Sequence, residues 1–212
     1  NPTYGQSIVS YTGTGVNATV GHGLSSAPEM VIVKERSDDT GNWYVWHTGF
    51  AATHGMFLNS TSVTAESDNY WNDTEPTNAV FNLGTNTDIN GTTGTDTYIA
   101  YCFHSVTGYS KFGSYTGNGS TTGPTVTLGF RPAFLMIKSS TQAENWNIID
   151  ATRSPTNVGN KARLQANAST AEGATWACDF NDNGFQLKTT DGEVNANSQT
   201  YIYMAFADKR EY

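Results

Sequence analysis

The sequence predicts an all-β protein built from two tandem antiparallel β-sandwich repeats, jelly-roll-like or lectin-like, that are related by internal duplication. Two observations lead to this fold class. Apolar residues occur in short β-branched and aromatic runs that Gly, Asn, Asp, Ser and Thr interrupt, and helical periodicity is nearly absent. In addition, the same series of short sequences occurs twice in the same order, roughly 104 residues apart, which indicates a repeat.

The two copies can be followed along the whole chain. The stretch SYTGTG at 10–15 returns as SYTGNG at 114–119. Later matches join PEMVIVKE to PAFLMIKS (28–35 and 132–139), NWYVWH to NWNIID (42–47 and 145–150), and TYIAYCFH to TYIYMAFA (97–104 and 200–207). We therefore expect one repeat over 1–104 and the other over 105–212, with Tyr11 equivalent to Tyr115 and Trp43 equivalent to Trp146.

Each repeat is expected to contain about seven strands, since short apolar runs alternate with turn signals at the spacing that is typical of a sandwich. In the first repeat the strands are predicted at 7–12, 18–22, 29–36, 43–48, 55–59, 78–84 and 96–104. In the second they are predicted at 111–116, 125–129, 133–139, 145–150, 161–167, 184–189 and 199–207. The segments 61–77 and 168–183 are predicted to be long and irregular.

Individual residues support these elements. The glycines of SYTGTG and SYTGNG are expected to allow a turn, because glycine tolerates positive φ. Pro28 and Pro132 begin a strand, where a missing N–H does least harm. The last strand of each repeat is apolar on both faces, so we expect both faces to be covered. The predicted core consists of Val31, Val33, Trp43, Phe81, Ile99, Phe103, Phe134, Met136, Trp146, Phe185, Ile202 and Phe206.

The charge of the chain excludes several classes of partner. The net charge is −8 and only 14% of the residues are charged, against about 25% in an average domain. Without a basic stripe, we expect no nucleic-acid partner and no attraction to an anionic membrane. No apolar run approaches a membrane-spanning length of roughly 18 residues. The chain does not begin with Met, and we expect it to be part of a longer polypeptide.

No catalytic motif is present in the sequence. The chain lacks HExxH, paired CxxC units, a phosphate-binding GxxxxGK[ST] loop and a GxSxG elbow. The four histidines are not clustered, although a triad assembled from distant positions stays open. Cys102 and Cys178 lie at non-equivalent places in the two repeats, so we expect two buried thiols and no disulfide. These features favour a binding or structural role over an enzymatic one.

One short stretch resembles a calcium loop. In DFNDNG (179–184), Asp179, Asn181 and Asn183 stand at EF-hand ligand positions, but the position of the bidentate Glu is Thr190. No flanking helices are predicted. We therefore expect no cofactor and interpret the stretch as an Asn-Gly turn, with Ca²⁺ binding as the alternative.

The candidate ligand site lies in the first irregular segment. There Asp68, Tyr70, Trp71 and Asn72 place aromatic rings among carboxylate and amide groups. A sugar stacks its apolar face on an indole and hydrogen-bonds to such polar neighbours. The alternative is a tryptophan that plugs the end of the sandwich. Asp150 and Arg153 are interpreted as a local pair that holds a loop, with an exposed ligand-binding pair as the alternative.

Taken together, the stretches SYTGNG, GFRPAFLMIK, DFNDNGFQL and VNANSQTYIYMAFAD resemble a repeated module of unknown function in tail-fibre and appendage proteins of tailed phages, many of them marine. The second repeat matches best, while the first departs with TYIAYCFHS in place of the YIYMAFAD ending. The resemblance implies a virion component. It supplies no catalytic residues.

These observations lead to a functional expectation. We expect an exposed tail-fibre or appendage adhesin on the extracellular surface of the virion, which recognises a host surface glycan. Its partners would be other virion proteins and further copies of itself, as a trimer if it forms a fibre. The alternatives are capsid decoration or an architectural fibre module without a ligand, and, third, a tailspike-type enzyme that degrades glycans.

Overall fold

The protein folds into antiparallel sheets, as the sequence predicts. A computed structural model describes residues 1–38, 40–92, 94–174 and 176–208. The chain divides into two compact units: unit 1 comprises 1–59 and 64–105, and unit 2 comprises 60–63 and 106–212. In each unit a larger and a smaller sheet enclose a hydrophobic core, which gives sandwich-like packing. The all-β sandwich prediction is confirmed.

In the described part of unit 1 there are eight strands, two short α-helices and a 3₁₀ turn at Pro2–Tyr4. The strands are β1 (Gln6–Thr12), β2 (Ala18–Gly21), β3 (Met30–Glu35), β4 (Tyr44–His47), β5 (His54–Phe57), β6 (Ala65–Glu66), β7 (Val80–Leu83) and β8 (Thr97–Phe103). The helices are α1 (Asp68–Trp71) and α2 (Thr87–Asn90). The large sheet has the order β1-β8-β3-β4-β5-β6, and β2 pairs with β7 in the small sheet.

Among its described residues, unit 2 has eight strands and one short helix. The strands are β9 (Ser110–Thr116), β10 (Thr125–Thr127), β11 (Pro132–Ser139), β12 (Asn147–Asp150), β13 (Arg163–Gln165), β14 (Cys178–Asn181), β15 (Gly184–Leu187) and β16 (Thr200–Ala207). The helix is α3 (Gly192–Asn195). The large sheet has the order β9-β16-β11-β12-β13, and the small sheet has the order β10-β15-β14.

The large sheets of the two units share one strand order. The order β1-β8-β3-β4-β5 in unit 1 corresponds to the order β9-β16-β11-β12-β13 in unit 2. In the small sheets, β2 pairs with β7 as β10 pairs with β15. Register agrees as well, since Val33 pairs with Tyr44 as Ile137 pairs with Asn147. Equal order and register are what a duplication produces.

All fourteen predicted strands occur, with ends shifted by a few residues. The sequence prediction missed β6, β14 and the three short helices. Of these, β6, α1 and β14 lie in the segments predicted to be irregular, whereas α2 and α3 lie in the loop before the last strand of each unit. Each helix has only four residues and starts from a side-chain cap, at Ser67, Asn86 and Asp191. Such elements are too short to show helical periodicity, so a sequence pattern does not reveal them.

The predicted core is correct in part. The residues that are buried as expected are Val31, Val33, Phe81, Met136, Trp146, Phe185 and Ile202. Those that are only half-buried, against expectation, are Trp43, Ile99, Phe103, Phe134 and Phe206. In β8 the residues that face the core are Tyr98, Ala100 and Cys102, so Ile99 and Phe103 point to the opposite face. Both faces are apolar, and the alternation alone could not decide between them.

Two further expectations concern cysteines and membranes. Cys102 and Cys178 are free, buried thiols, as predicted. Burial raises the pKa of the Cys102 thiol to about 12, which keeps it protonated and unreactive near neutral pH. Within the described residues, every helix is too short or too polar to cross a bilayer.

Candidate functional site

In both units, side chains of the same types hold the first loop in place. Because this arrangement occurs twice, we interpret its residues as structural and look for functional residues elsewhere. In unit 1, the Tyr11 and Tyr98 rings stack with centroids 5.1 Å apart. The Tyr11 hydroxyl donates to the Ile89 carbonyl at 2.7 Å, and the Tyr98 hydroxyl donates to the Thr87 carbonyl at 2.7 Å. Both acceptors belong to α2. The stacked tyrosines therefore hold α2 against the large sheet.

An asparagine completes the arrangement. The Asn90 amide nitrogen donates to the Val16 and Gly84 carbonyls at 2.8 and 2.7 Å, and its oxygen accepts from the Thr14 N–H at 2.7 Å. Asn90 thus joins the SYTGTG loop to the end of β7. We call this arrangement the tyrosine–asparagine latch, formed by Tyr11, Tyr98 and Asn90 in unit 1.

The latch of unit 2 has the same connections. Tyr115 and Tyr201 stack at 5.2 Å, and their hydroxyls donate to the Val194 and Gly192 carbonyls of α3. Asn195 donates to Ser120 and Thr189 and accepts from the Asn118 N–H at 2.9 Å. Because both copies keep every member, the repeated SYTGxG sequence is explained by folding and need not mark a ligand site.

The predicted ligand loop is mostly a packing element. Trp71 is only 2% exposed and lies in the core of unit 1, so its ring faces are not available to a sugar. Tyr70 is half-buried and packs edge-to-face on Tyr44, with centroids 5.2 Å apart. The side-chain oxygen of Asn72 accepts from the Asn17 amide at 2.6 Å. Asp68 alone of the predicted set is exposed.

This packing has a local cause in the sequence. Ser67 caps α1 by accepting from the Asn69 N–H, and Asn72 ends the helix in the left-handed region. The single turn directs Trp71 inward, where Gly55 of β5 leaves room for it: a Cβ at Gly55 would stand 3.1 Å from Trp71 Nε1. The arrangement matches the alternative in which the tryptophan plugs the sandwich.

The calcium-like stretch forms a hairpin. Asp179 and Asn181 belong to β14, Asn181 pairs with Gly184, and Asp182 and Asn183 form the two-residue turn into β15. Gly184 has φ 152, and a Cβ there would stand 1.9 Å from the Val126 carbonyl oxygen. Gly184 is therefore required by strand packing, and the turn consists of Asp182 and Asn183 rather than of Asn183 and Gly184. The described residues also hold no cluster of three or more His, Cys, Asp or Glu side chains that could bind a metal.

A surface pocket of about 440 Å³ lies at one end of the large sheet of unit 2. It forms where β11 begins, β12 and β16 end, and the chain enters β9. We call it the sheet-end pocket; the residues that line it are Tyr109, Ala133, Phe134, Asp150, Thr152, Ala207 and Asp208. It combines two aromatic rings with two carboxylates and the hydroxyls of Tyr109 and Thr152, which are the kinds of group that orient small polar ligands.

Strand register and aromatic packing bring these side chains together. Phe134 pairs with Asp150 on one side and with Phe206 on the other. The Phe206 ring contacts both aromatic walls, with centroids 5.7 Å from Tyr109 and 6.2 Å from Phe134. Ala207 also donates its backbone N–H to the Tyr109 carbonyl at 2.7 Å. The walls are therefore held by the sheet, which positions a site more firmly than a free loop does.

Hydrogen bonds from Arg153 fix the orientation of the Asp150 carboxylate. Its two oxygens accept from the Arg153 backbone N–H at 2.8 Å and from the guanidinium at 2.6 Å. Burial raises the pKa of the Asp150 carboxyl, but these hydrogen bonds and the positive charge lower it more, so the net shift is downward. Arg153 also pairs with Glu172 at 2.8 Å. The predicted local Asp150–Arg153 pair is confirmed, and one of its members lines the pocket.

Unit 1 has different residues at the corresponding place. In unit 1 the backbone N–H of Thr48 donates to the Glu29 carbonyl, and that of His104 donates to the Gly5 carbonyl. In unit 2 the equivalent bonds run from Ala151 to Ala133 and from Ala207 to Tyr109. These bonds show which residues of the two units occupy the same positions. Unit 1 therefore has Gly5 for Tyr109, Met30 for Phe134, His47 for Asp150 and Ser105 for Asp208. The aromatic and acidic lining belongs to unit 2 alone.

Sequence reasoning missed Tyr109, Phe134 and Asp208 as candidate site residues. They are far apart in the chain, and only the register of β9, β11, β12 and β16 brings them together. The sequence did contain a signal. When the two repeats are aligned, Tyr109 stands where the first repeat has Gly5, and Asp150 stands where it has His47.

Comparison with known proteins adds the family. No curated protein and no solved structure matches this chain. One family model matches residues 1–210, which is nearly the full length; it describes a domain of unknown function, DUF7483. The match covers both units and leaves the ligand and the place of action open. The chain therefore belongs to the DUF7483 family.

Proposed function

We propose that this chain is an exposed segment of a phage virion structural protein, on a tail fibre or another appendage, and that unit 2 binds a host-surface glycan in the sheet-end pocket. The observation that carries the proposal is the pocket lining of two aromatic rings beside two carboxylates. Aromatic surfaces stack on the apolar face of a pyranose, while carboxylate and hydroxyl oxygens accept hydrogen bonds from its hydroxyls.

Three further points support this proposal. The volume of about 440 Å³ lies within the range of small-ligand sites, about 300–1,000 Å³. The two units share the latch, the strand order and the register, but they differ in the residues of the pocket. The pocket lining is therefore not needed for the fold that the units share, which leaves it available for a function. The resemblance of the second repeat to modules of tailed-phage appendages supports a place on the virion surface, beside other virion proteins and copies of the same chain.

One observation favours the architectural alternative. Ile8 is 68% exposed on β1, which is an edge strand of the large sheet in unit 1. An edge strand with an exposed apolar side chain is a surface that another protein can cover. In this role the chain would decorate a capsid or join parts of a fibre without binding a ligand.

The enzyme alternative finds less support in the pocket. A glycan hydrolase needs one carboxyl that is protonated near neutral pH, with a raised pKa, beside one that is ionised. The Arg153 contacts lower the pKa of Asp150, so this carboxyl is unsuited to donate a proton. Release of reducing sugar from host polysaccharide would nevertheless establish this third role.

Glycan binding is tested with the purified chain on an array of bacterial surface glycans, comparing the wild type with Tyr109→Ala. Loss of one stacking ring should weaken binding by about 1–3 kcal/mol, by analogy with base stacking on aromatic rings. The matched control is Tyr4→Ala, since Tyr4 is 51% exposed and directly precedes Gly5, the counterpart of Tyr109. The control should bind as the wild type does.

The melting temperature of both variants is measured first. If Tyr109→Ala keeps the wild-type melting temperature and the wild-type affinity, the sheet-end pocket is not the site. If the wild-type chain binds no glycan on the array or on host cells, the architectural role takes first place.

A further inference from the structure

We infer that two copies of this chain pair edge to edge through β1, antiparallel and about a two-fold axis at Ser10. The large sheet of unit 1 then continues from one copy into the next. This inference goes beyond the glycan-binding role proposed for unit 2 and does not depend on it. It follows from the backbone groups that β1 directs away from its sheet, from the absence of charge on the strand, and from a comparison with β9.

The hydrogen-bond pattern shows which backbone groups of β1 point outward. At one end of the strand the His104 N–H donates to the Gly5 carbonyl at 2.9 Å, and at the other end the Gly13 N–H donates to the Asp96 carbonyl at 3.0 Å. Hydrogen-bonded and non-hydrogen-bonded pairs alternate along an antiparallel ladder. The odd-numbered residues from 5 to 13 therefore bond to β8, and the even-numbered ones direct their N–H and C=O groups away from the sheet.

Three of the outward residues lack a backbone partner on this side in the described part of the chain. Gln6 has one, since its N–H donates to the Asn1 carbonyl at 3.2 Å. Ile8, Ser10 and Thr12 have none, because β1 is the outermost strand of its sheet. Each offers one N–H and one C=O, and such groups are a template for another strand.

These outward groups are complementary to themselves. When two copies of β1 run antiparallel about an axis at Ser10, this residue faces its own counterpart, and Ile8 faces Thr12 of the other copy. Each facing pair exchanges two hydrogen bonds, so every outward N–H of the three residues meets an outward C=O. Shifting one strand by two residues in either direction leaves one of the three without such a match. The contact is isologous and closes with two copies.

The composition of β1 favours this pairing. Natural edge strands are ordinarily protected by charged side chains, by proline or by a bulge. The stretch QSIVSYT at Gln6–Thr12 has no charged residue and no proline, and its register with β8 is unbroken. Since the chain carries a net charge of −8, an uncharged edge is a place where two copies can approach with little repulsion.

An exposed apolar side chain lies on the same edge. Ile8 is the most exposed large apolar residue in the described part of unit 1. In the paired arrangement it stands directly opposite Thr12 of the other copy, and both side chains are β-branched. Cross-strand neighbours of this kind stabilise a sheet, so the pairing covers an apolar group that water otherwise contacts.

The equivalent edge of unit 2 differs in both respects. β9 is also the outermost strand of its sheet, but Lys111 stands where β1 has Ser7. A lysine on an edge strand opposes pairing. Phe112, the counterpart of Ile8, is buried. The two units therefore share an edge strand of the same length, and the features that suit pairing occur on β1.

The first measurement is sedimentation velocity of the full chain over a series of protein concentrations. A reversible equilibrium between monomer and dimer is expected, and it is weak, because the pairing of single strands covers a small surface. Hydrogen exchange then locates the contact. The amide protons of Ile8, Ser10 and Thr12 should exchange more slowly as the dimer fraction rises, whereas the Ser114 amide of β9 keeps its rate.

Two variants test the position of the axis. Ser10→Lys and Ser10→Glu each place like charges opposite each other, so each alone should weaken the dimer about fivefold. When the two variants are mixed in equal amounts, opposite charges face each other and a heterodimer should form. The matched controls are Ser114→Lys and Ser114→Glu, at the equivalent exposed position of β9, and they should dimerise as the wild type does. The melting temperature of each variant is measured first.

Several results would overturn the inference. A wild-type chain that is monomeric at every concentration would leave the edge to a strand of another protein, and a trimer would contradict a two-fold contact. Equal effects of the Ser10 and Ser114 variants would place the contact elsewhere. Failure of the mixed Ser10 variants to form a heterodimer would contradict the axis. Each of these results leaves the glycan-binding proposal for unit 2 to its own test.

Discussion

At the scale of single residues, Asn195 shows how much one buried side chain can hold. It is fully buried, and its hydrogen bonds connect the SYTGNG loop, the chain after β15 and the end of α3. A buried backbone group that loses its partner costs about 1–3 kcal/mol, so a side chain that satisfies several such groups is worth more than one average hydrogen bond.

We predict that Asn195→Ala lowers the free energy of unfolding by about 1–3 kcal/mol, because three partly buried backbone groups lose their partner at once. Urea denaturation followed by circular dichroism gives this value. Asn197→Ala, at an exposed position two residues away, is the control and should stay within about 0.5 kcal/mol of the wild type. Equal effects of the two variants would mean that the latch does not carry the loop.

Trp71, for which the sequence left open a ligand contact or a plug of the sandwich, is 2% exposed in the core of unit 1. We predict that Trp71→Ala costs about 3–5 kcal/mol of stability, through lost burial and the cavity that remains. Asp68→Ala, at an exposed position on the same helix, should cost no more than about 1 kcal/mol. The melting temperatures of both variants test this prediction. If Trp71→Ala melts at the same temperature as the wild type, the indole is not needed for stability and becomes a candidate ligand contact again.

Lys138 gives a prediction about pH. Its side chain is fully buried in unit 2, where Nζ donates to the Ser139 carbonyl at 2.6 Å. Burial lowers its pKa from 10.5 to about 8, and the nearby Glu144 carboxylate opposes part of this shift. Below pH 8 the folded protein bears the cost of a buried charge. This cost disappears as the pH rises from 8 towards 10.5, so the contribution of Lys138 to stability improves over that interval.

The corresponding measurement compares wild type with Lys138→Met between pH 7 and pH 10.5. The difference in unfolding free energy should shift in favour of the wild type by about 2–3 kcal/mol across this range. Taking the difference removes the effects of other titrating groups that both proteins share. Two parallel pH profiles would show that Lys138 is not buried as an ammonium.

At the scale of elements, the positions of the strands could be predicted, but the side of a strand that faces the core could not. Short apolar runs between turn residues located every strand of the two large sheets except the two-residue β6. In β8, however, the set Tyr98, Ala100 and Cys102 and the set Ile99, Tyr101 and Phe103 are similarly apolar, so the alternation did not indicate which set faces the core. The pocket could not be found from one strand, because its walls come from four.

The β14–β15 hairpin supports a further prediction. In an EF-hand, helices flank a twelve-residue loop that wraps the ion, whereas here Asp182 and Asn183 turn directly between two paired strands. We predict that millimolar Ca²⁺ leaves the melting temperature unchanged, and that Asp179→Asn and Asn181→Ala respond to Ca²⁺ as the wild type does. A calcium-dependent rise in the melting temperature that these variants abolish would restore the calcium site.

At the scale of the whole molecule, unit 2 contains everything that its pocket needs. The residues of its hydrophobic core all lie between 115 and 205, and the pocket lining lies between 109 and 208. We predict that a fragment of residues 106–212 folds alone and binds the same glycans as the full chain. Dispersed amide signals in an NMR spectrum, with shifts on adding ligand, would support this prediction. An unfolded fragment would contradict it.

The restriction of the aromatic and acidic lining to unit 2 has a consequence for valency. Under the proposed function, the chain would offer a cell surface one site rather than two, although it contains two copies of one fold. Firm attachment would then require several chains held together, since joining weak sites can raise avidity by about 10²–10⁴ without any new contact. The number of chains in an appendage, and the spacing between them, would set how strongly the particle adheres.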